Sequence, residues 1–303
     1  MSNPSASVVC SPDSPFDPAA DRAYAAWRER KLAGWPADPA AGQVEIARAD
    51  APTAAELDAL RQQLRRTNVA LYRLAPGSPS DKDAIRQLGR ALGLVRLDNN
   101  LCADDDGLTS LTVTQGRALG EYIPYTNRPL NWHTDGYYNS LDRQIRGIVL
   151  HCAQPAAEGG ENAFMDHEIA YIRLRDENPD YIRALMAPDA MTIPPNVQNG
   201  RELRPARTGP VFSVDANGHL HMRYSARARN VEWRHDSVTQ EAAGRLLALF
   251  QQDSAFIFRH RLEAGEGVIS NNALHCRTGF SDAPDGPARL LYRARYFDRV
   301  SAT

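Results

Sequence analysis

The stretch "NWHTDGYYN", residues 131–139, sets His133 and Asp135 two positions apart, between an indole and two phenols. Side chains two apart on a strand point to the same face. An imidazole nitrogen and a carboxylate oxygen there can chelate one ion. Taken alone the triplet is weak, because H-x-D also arises by chance; the plain alternative gives Asp135 a turn role and His133 a core hydrogen bond. "GVISNNALHCRTGFSD" then adds His275 in a strand region. Two histidines and one carboxylate form the facial set of non-heme iron(II) oxygenases, which leaves coordination positions open; the same donors also suit zinc. After His275, "ARLLYRARYF" puts Arg289, Leu291, Arg293 and Arg295 on one face of a strand and Leu290, Tyr292, Ala294 and Tyr296 on the other. That arginine face is either a solvated exterior or an inward cationic wall suited to a carboxylate.

These residues need a scaffold, and the pattern supplies one. The first 17 residues are rich in Ser and Pro and read as a flexible segment. A helix follows over "DRAYAAWRERKLAG", ending at Gly34 before Pro36. "TAAELDALRQQLRR" opens with a capping box, Thr53 with Glu56, and leads into the apolar strand "NVALYRL". "SDKDAIRQLGRALG" is a further helix, with Ser80 as its N-cap. Beyond it short strands dominate: LTSLTVT, IRGIVLHC, VFSVD, HLHMRYSA, AFIFRHRL, GVISNN, ALHCR and RLLYRARYF. VFSV-DANG-HLHMRY reads as a hairpin turning near Asn217-Gly218. Helices interrupt at 166–186, where "ENPDY" marks a break, and at 237–252, with Ser237 and Gln240 as a capping box. Early helices and many short strands predict one α+β domain over residues 18–303, built on a β-sandwich or barrel.

Composition bounds the function. The chain has 303 residues, 43% of them hydrophobic and 24% charged, as a globular protein with a sizeable core does. A net charge of −2 provides no field for nucleic acid or an anionic membrane. No apolar run is long enough to span a bilayer, and the first 21 residues do not form a secretory signal. Cys10, Cys102, Cys152 and Cys276 are scattered, which argues against a disulfide framework or a cysteine–zinc site and for a reducing, cytoplasmic compartment. "HEIAY" at His167 is not a zinc-protease motif, because position 171 is Tyr. His219 and His221 share a strand face but lack a third ligand. Phosphate-binding and nucleophile-elbow motifs are absent.

The order W-H-T-D, then G-G-E-N near residue 160, then N-x-x-x-H, then R-x-x-x-R resembles the taurine dioxygenase-like (TauD/TfdA) family of iron(II)- and 2-oxoglutarate-dependent oxygenases, over about residues 65–298. The resemblance implies a double-stranded β-helix (jelly-roll) core with flanking helices. It implies iron(II) held by His133, Asp135 and His275, with 2-oxoglutarate and O2 as cosubstrates. It makes Arg289 the partner of the distal 2-oxoglutarate carboxylate and Arg293 a grip for an anionic substrate. Asn162 stands where several members carry threonine, and its amide still offers N–H donors to a carboxylate. The implied reaction hydroxylates or desaturates a small organic substrate and releases succinate and CO2. Related halogenases replace the carboxylate ligand, so Asp135 favours the former outcomes. The resemblance does not explain the first 64 residues.

Position and chemistry nominate Tyr122, Tyr125, Asn127, Tyr137, Tyr138, Arg223 and Tyr224 as substrate walls, with Arg223 a second candidate for the anion grip. A small-molecule substrate is expected, with no nucleic-acid or membrane partner; self-association is left open. Competing readings are a jelly-roll oxygenase that does not use 2-oxoglutarate, a zinc hydrolase, and a non-catalytic binding protein. Metal content and succinate formation separate them.

Overall fold

Thr53 starts the helix Ala54–Thr67 with the expected capping box: its hydroxyl accepts from Glu56 N, and the Glu56 carboxylate accepts from Thr53 N. Two donors that a helix start leaves orphaned are thereby satisfied. The computed structural model describes residues 13–98, 107–113, 123–227, 231–252 and 254–303. Two other helices start one residue from expectation. Lys82–Ala91 is capped by Asp81 rather than Ser80, and Ser237–Leu249 by Asp236 rather than Ser237. In each case a carboxylate adjoins a hydroxyl, and the charged acceptor takes the backbone donor: Ala84 N to Asp81 and Thr239 N to Asp236, both at 2.9 Å. The helical region at 166–186 is two helices, His167–Glu177 and Pro179–Leu185, broken at Asn178.

The chain forms two compact units. One comprises the described part of Met1–Trp35 with Trp132–Gln144 and Asp166–Phe256. It is mainly helical, with Asp21–Ala33 joining the helices already named. Buried Lys31 pairs at 2.6 Å with both Asp166 and Glu168, at the start of His167–Glu177. Phe16 is buried edge-on against Trp27 and Tyr171, and Arg175 donates to Pro15 O. Packing therefore begins before residue 18: an aromatic anchor holds the end of the segment expected to be flexible. Residues 1–12 lie outside the described residues. A three-stranded sheet and two hairpins complete this unit, and one hairpin, Phe212–Val214 with Leu220–Met222, turns at Gly218 as expected.

The other unit comprises Pro36–Asn131, Ile145–Met165 and Ile257–Thr303. Its six-stranded sheet runs in the order Val44–Ile46, Val69–Leu74, Glu266–Ser270, Gly147–Gln154, Leu290–Tyr296, Thr109–Leu111. Strand alternation sorts its side chains. Ala70, Tyr72, Val149, Ile269, Ala294 and Tyr296 pack with Leu60, Leu64, Ile85 and Leu88 of the helices. Val69, Leu71, Cys152, Val268 and Leu291 instead pack with Phe164 and Phe258. The last two belong to a four-stranded sheet ordered Ile257–His260, Asn162–Met165, Leu274–Arg277, Leu130–His133. Each fully buried Val, Leu, Ile or Phe among them contributes about 1.5–3 kcal/mol of burial.

His151 lies fully buried in the six-stranded sheet, stacked on Tyr72 and Tyr292, with Tyr72 Oη 3.1 Å from Nδ1. Burial pushes its pKa down to about 4, so the folded protein holds it neutral. As pH falls from about 6.5 towards 4, the unfolded chain takes up this proton and the folded one does not. Stability then drops by about 3 kcal/mol and levels off below pH 4. Urea unfolding of wild type and His151→Phe at pH 7 and pH 4.5 should show the wild type losing more on acidification; equal losses would remove His151 as the cause.

Candidate active site

The strand Leu130–His133 ends at the histidine, and Asp135 opens the turn that follows, with Gly136 at φ +68°. The sequence reading placed both residues in one strand; the turn at Gly136 ends it first. Neighbouring side chains fix the segment. Thr134 is buried and exchanges two hydrogen bonds with Tyr224, N to O at 3.0 Å and Oγ1 from N at 3.1 Å. Trp132 stacks on Phe250 at 5.0 Å. The indole is thus packing, and His133 and Asp135 are the polar pair, both buried, with Nε2 3.5 Å from Oδ1.

His275 sits on Leu274–Arg277, the strand beside Leu130–His133 in the four-stranded sheet. His133, Asp135 and His275 each offer a ligand atom, and these atoms lie within 4.8 Å of one another. His275 Nδ1 lies 3.0 Å from Ala273 O. A carbonyl only accepts, so Nδ1 carries the proton and Nε2 keeps the lone pair, which is how a backbone carbonyl orients a ligating histidine. Two imidazoles and a carboxylate on one spot fit iron(II) with positions left open, and also zinc.

Arg289 is 4% exposed, and its guanidinium lies 4.7 Å from the Phe280 ring centre. Burial holds its pKa below the usual arginine value. Its side chain has no hydrogen-bond or ion-pair partner among the described residues, whereas its backbone N–H donates to Asp282 at 3.1 Å. The Gly159-Gly160 pair makes room here, with both residues at positive φ. A Cβ on Gly159 would come within 2.2 Å of Gly279 O, and one on Gly160 within 3.6 Å of Arg289 Nε. Asn162 follows on the strand Asn162–Met165, buried, with Nδ2 unpaired. The sequence reading missed Arg277, buried and directly opposite Asn162. Its signal was an arginine two after His275, on the same strand face.

The substrate nominations fare unevenly. Arg223 spends all five N–H donors on carbonyls: Nε on Pro210, the other nitrogens on Tyr137, Arg207, Met191 and Gly209. It ties loops together and has no donor left for a substrate anion; the sequence could not show five carbonyls converging. Tyr125 packs in the inter-sheet cluster and Tyr224 against Trp233 and Phe250, so both are core. Asn127 is exposed, and its carbonyl accepts from Phe280 N. Tyr137 stands edge-on to His133 at 6.4 Å and to Tyr138 at 5.2 Å. Tyr122 lies outside the described residues. His219 Nδ1 lies 3.4 Å from Asp215 in the hairpin turn. Arg293 and Arg295 share the strand face of Leu291, whose side chain is in the inter-sheet cluster. Arg295 pairs with buried Asp98. Arg289 lies just before the strand Leu290–Tyr296, and the register shift between Leu290 and Leu291 places the extra residue on the partner strand Gly147–Gln154.

Similarity to known proteins agrees with this geometry. An asparagine oxygenase solved with Fe(II), 2S,3S-3-hydroxyasparagine and succinate has the same fold: TM-score 0.53, 20% identity, 82% of this chain and 85% of that one covered. A uridine-5'-phosphate dioxygenase from an Amycolatopsis species is 30% identical over 181 residues, 57% of this chain. The chain spans 62% of that relative's length. Another uridine-5'-phosphate dioxygenase, from a Streptomyces species, is 29% identical over 203 residues, covering 64% of this chain and 71% of its own. No described helix is long and apolar enough to cross a membrane. The model of the family described as taurine catabolism dioxygenase TauD, TfdA matches residues 29–295, and the chain belongs to that family of iron(II)- and 2-oxoglutarate-dependent oxygenases.

Proposed function

We propose that this protein is an iron(II)- and 2-oxoglutarate-dependent dioxygenase that hydroxylates or desaturates a small anionic organic substrate, releasing succinate and CO2. The observation that carries the reading is the convergence of His133, Asp135 and His275. Iron(II) with 2-oxoglutarate and O2 supplies the oxidising chemistry, and the chain supplies ligation, orientation and dry surroundings. His133, Asp135 and His275 hold the metal, Ala273 O fixes the His275 ring, and Arg289 with Asn162 receives the distal carboxylate of the cosubstrate. The sheet orders support a double-stranded β-helix: five strands of the larger sheet share one apolar cluster with the four-stranded sheet. The family match over most of the chain supports a single dioxygenase domain over 18–303. The test is succinate formation from 2-oxoglutarate in the presence of ferrous iron and a substrate panel. Zinc dependence, or turnover without 2-oxoglutarate, would refute the reading.

The anionic substrate is supported by the uridine-5'-phosphate named for both relatives. It is also supported by the half-buried Arg204, whose guanidinium sits 5.9 Å from the Tyr138 ring and, among the described residues, bonds only to the carbonyls of Pro194 and Pro205. In this reading Arg293 grips the anion from the inter-sheet face. Arg293→Ala should raise the substrate KM about 10–100-fold, and Arg293→Lys less, because lysine keeps the charge without the planar fork. Substrate-independent decarboxylation of 2-oxoglutarate should persist in both. Assaying uridine-5'-phosphate beside uridine and small carboxylic acids checks this; an unchanged KM, or an uncharged best substrate, contradicts it.

A further inference from the structure

The residues around Phe280 hold more positive charge than one arginine supplies. Arg277 lies 4.8 Å from the Phe280 ring centre and Arg289 4.7 Å from the same point. Both are buried, and neither has a carboxylate within ion-pair distance among the described residues. One Arg277 nitrogen donates to the carbonyls of Thr126, at 3.0 Å, and Arg128, at 2.6 Å. Its Nε is buried with no partner. Directly opposite in the strand register, Asn162 Nδ2 is also buried with no partner. Two desolvated cations sharing one ring, with orphaned donors beside them, are costly unless an anion completes the set.

The face on which they lie identifies the anion. His275 and Arg277 are two apart on one strand, so they share a face about 7 Å apart. Asn162 and Arg277, as cross-strand partners, put their side chains side by side on that face. Phe164, opposite His275, packs in the inter-sheet cluster and marks the face as the inner one. A short dicarboxylate chelated near His275 would bring its far carboxylate within reach of these donors.

We propose that Arg277 is a second cosubstrate-binding cation, which with Arg289 and Asn162 forms a three-sided clamp on the far carboxylate of a five-carbon 2-oxo dicarboxylic acid. This rests on the reading of His133, Asp135 and His275 as the metal site.

The test is anaerobic titration of the iron(II)-loaded protein, followed by the visible absorbance of the chelate, with 2-oxoglutarate and with 2-oxovalerate, which has a methyl group in place of the far carboxylate. Arg277→Gln should weaken 2-oxoglutarate binding roughly 10–100-fold, Arg277→Lys less, and neither should alter 2-oxovalerate binding. Asn162→Asp keeps the arginine and sets a carboxylate opposite it. It should also weaken 2-oxoglutarate selectively, which guards against misfolding of the Arg277 variants. Unchanged 2-oxoglutarate affinity in Arg277→Gln overturns the proposal. So does equal weakening of both acids across these variants, since that marks a structural role. Wild type that binds iron but develops no absorbance with either acid refutes the parent reading instead, and Arg277's role with it.

Discussion

His275→Ala should abolish substrate-coupled turnover, lowering it about 10³-fold or more, because a bound metal supplies several kcal/mol that side chains alone do not. The strand carrying His275 is paired on one side with Asn162–Met165 and neighbours Leu130–His133 on the other, so truncating one imidazole leaves the scaffold in place. Loss of activity should therefore accompany loss of bound iron without a matching loss of thermal stability. His133→Ala and Asp135→Ala should behave alike. Succinate formation and iron content, measured on one sample, check the result; full turnover in His275→Ala would remove it from the metal site.

Arg289→Ala should weaken 2-oxoglutarate binding by roughly 10²–10³·⁵. Losing one partner of a buried, hydrogen-bonded charge pair costs about 3–5 kcal/mol, at about 1.4 kcal/mol per tenfold. Arg289 suits such a pair: it is buried, its guanidinium lies against the Phe280 ring with no ion-pair partner among the described residues, and Gly160 leaves space against Nε. If Arg277 shares the carboxylate, the loss falls at the lower end of that range, and Arg277→Gln in the same background adds less than it does alone. Anaerobic calorimetry with 2-oxoglutarate measures it, and an unchanged affinity would detach Arg289 from the cosubstrate.

How much of this was legible in the sequence follows from how local each feature is. The Thr53–Glu56 capping box, the break at Asn178-Pro179 and the turn at Gly218 are set by residues within a few positions, and each was legible. The caps at Asp81 and Asp236 slipped by one residue because two competent acceptors adjoin. His133 and Asp135 were readable from spacing, although Gly136 ends the strand early enough to put Asp135 in a turn. Arg277 was readable only as an arginine two after His275; its meaning depends on Asn162 across the sheet and on Arg289 sharing the Phe280 ring. Arg223 misled for a similar reason, since five carbonyls from three segments use up its donors only in the folded chain.

The central claim is that His133, Asp135 and His275 hold iron(II) in a form that accepts 2-oxoglutarate. Its most direct measurement is anaerobic reconstitution of the wild-type protein with ferrous iron, followed by titration with 2-oxoglutarate. The account predicts one iron per chain and a saturable visible absorbance band, absent in His275→Ala. Stoichiometric iron with no band at saturating 2-oxoglutarate, or an undiminished band in His275→Ala, would contradict it.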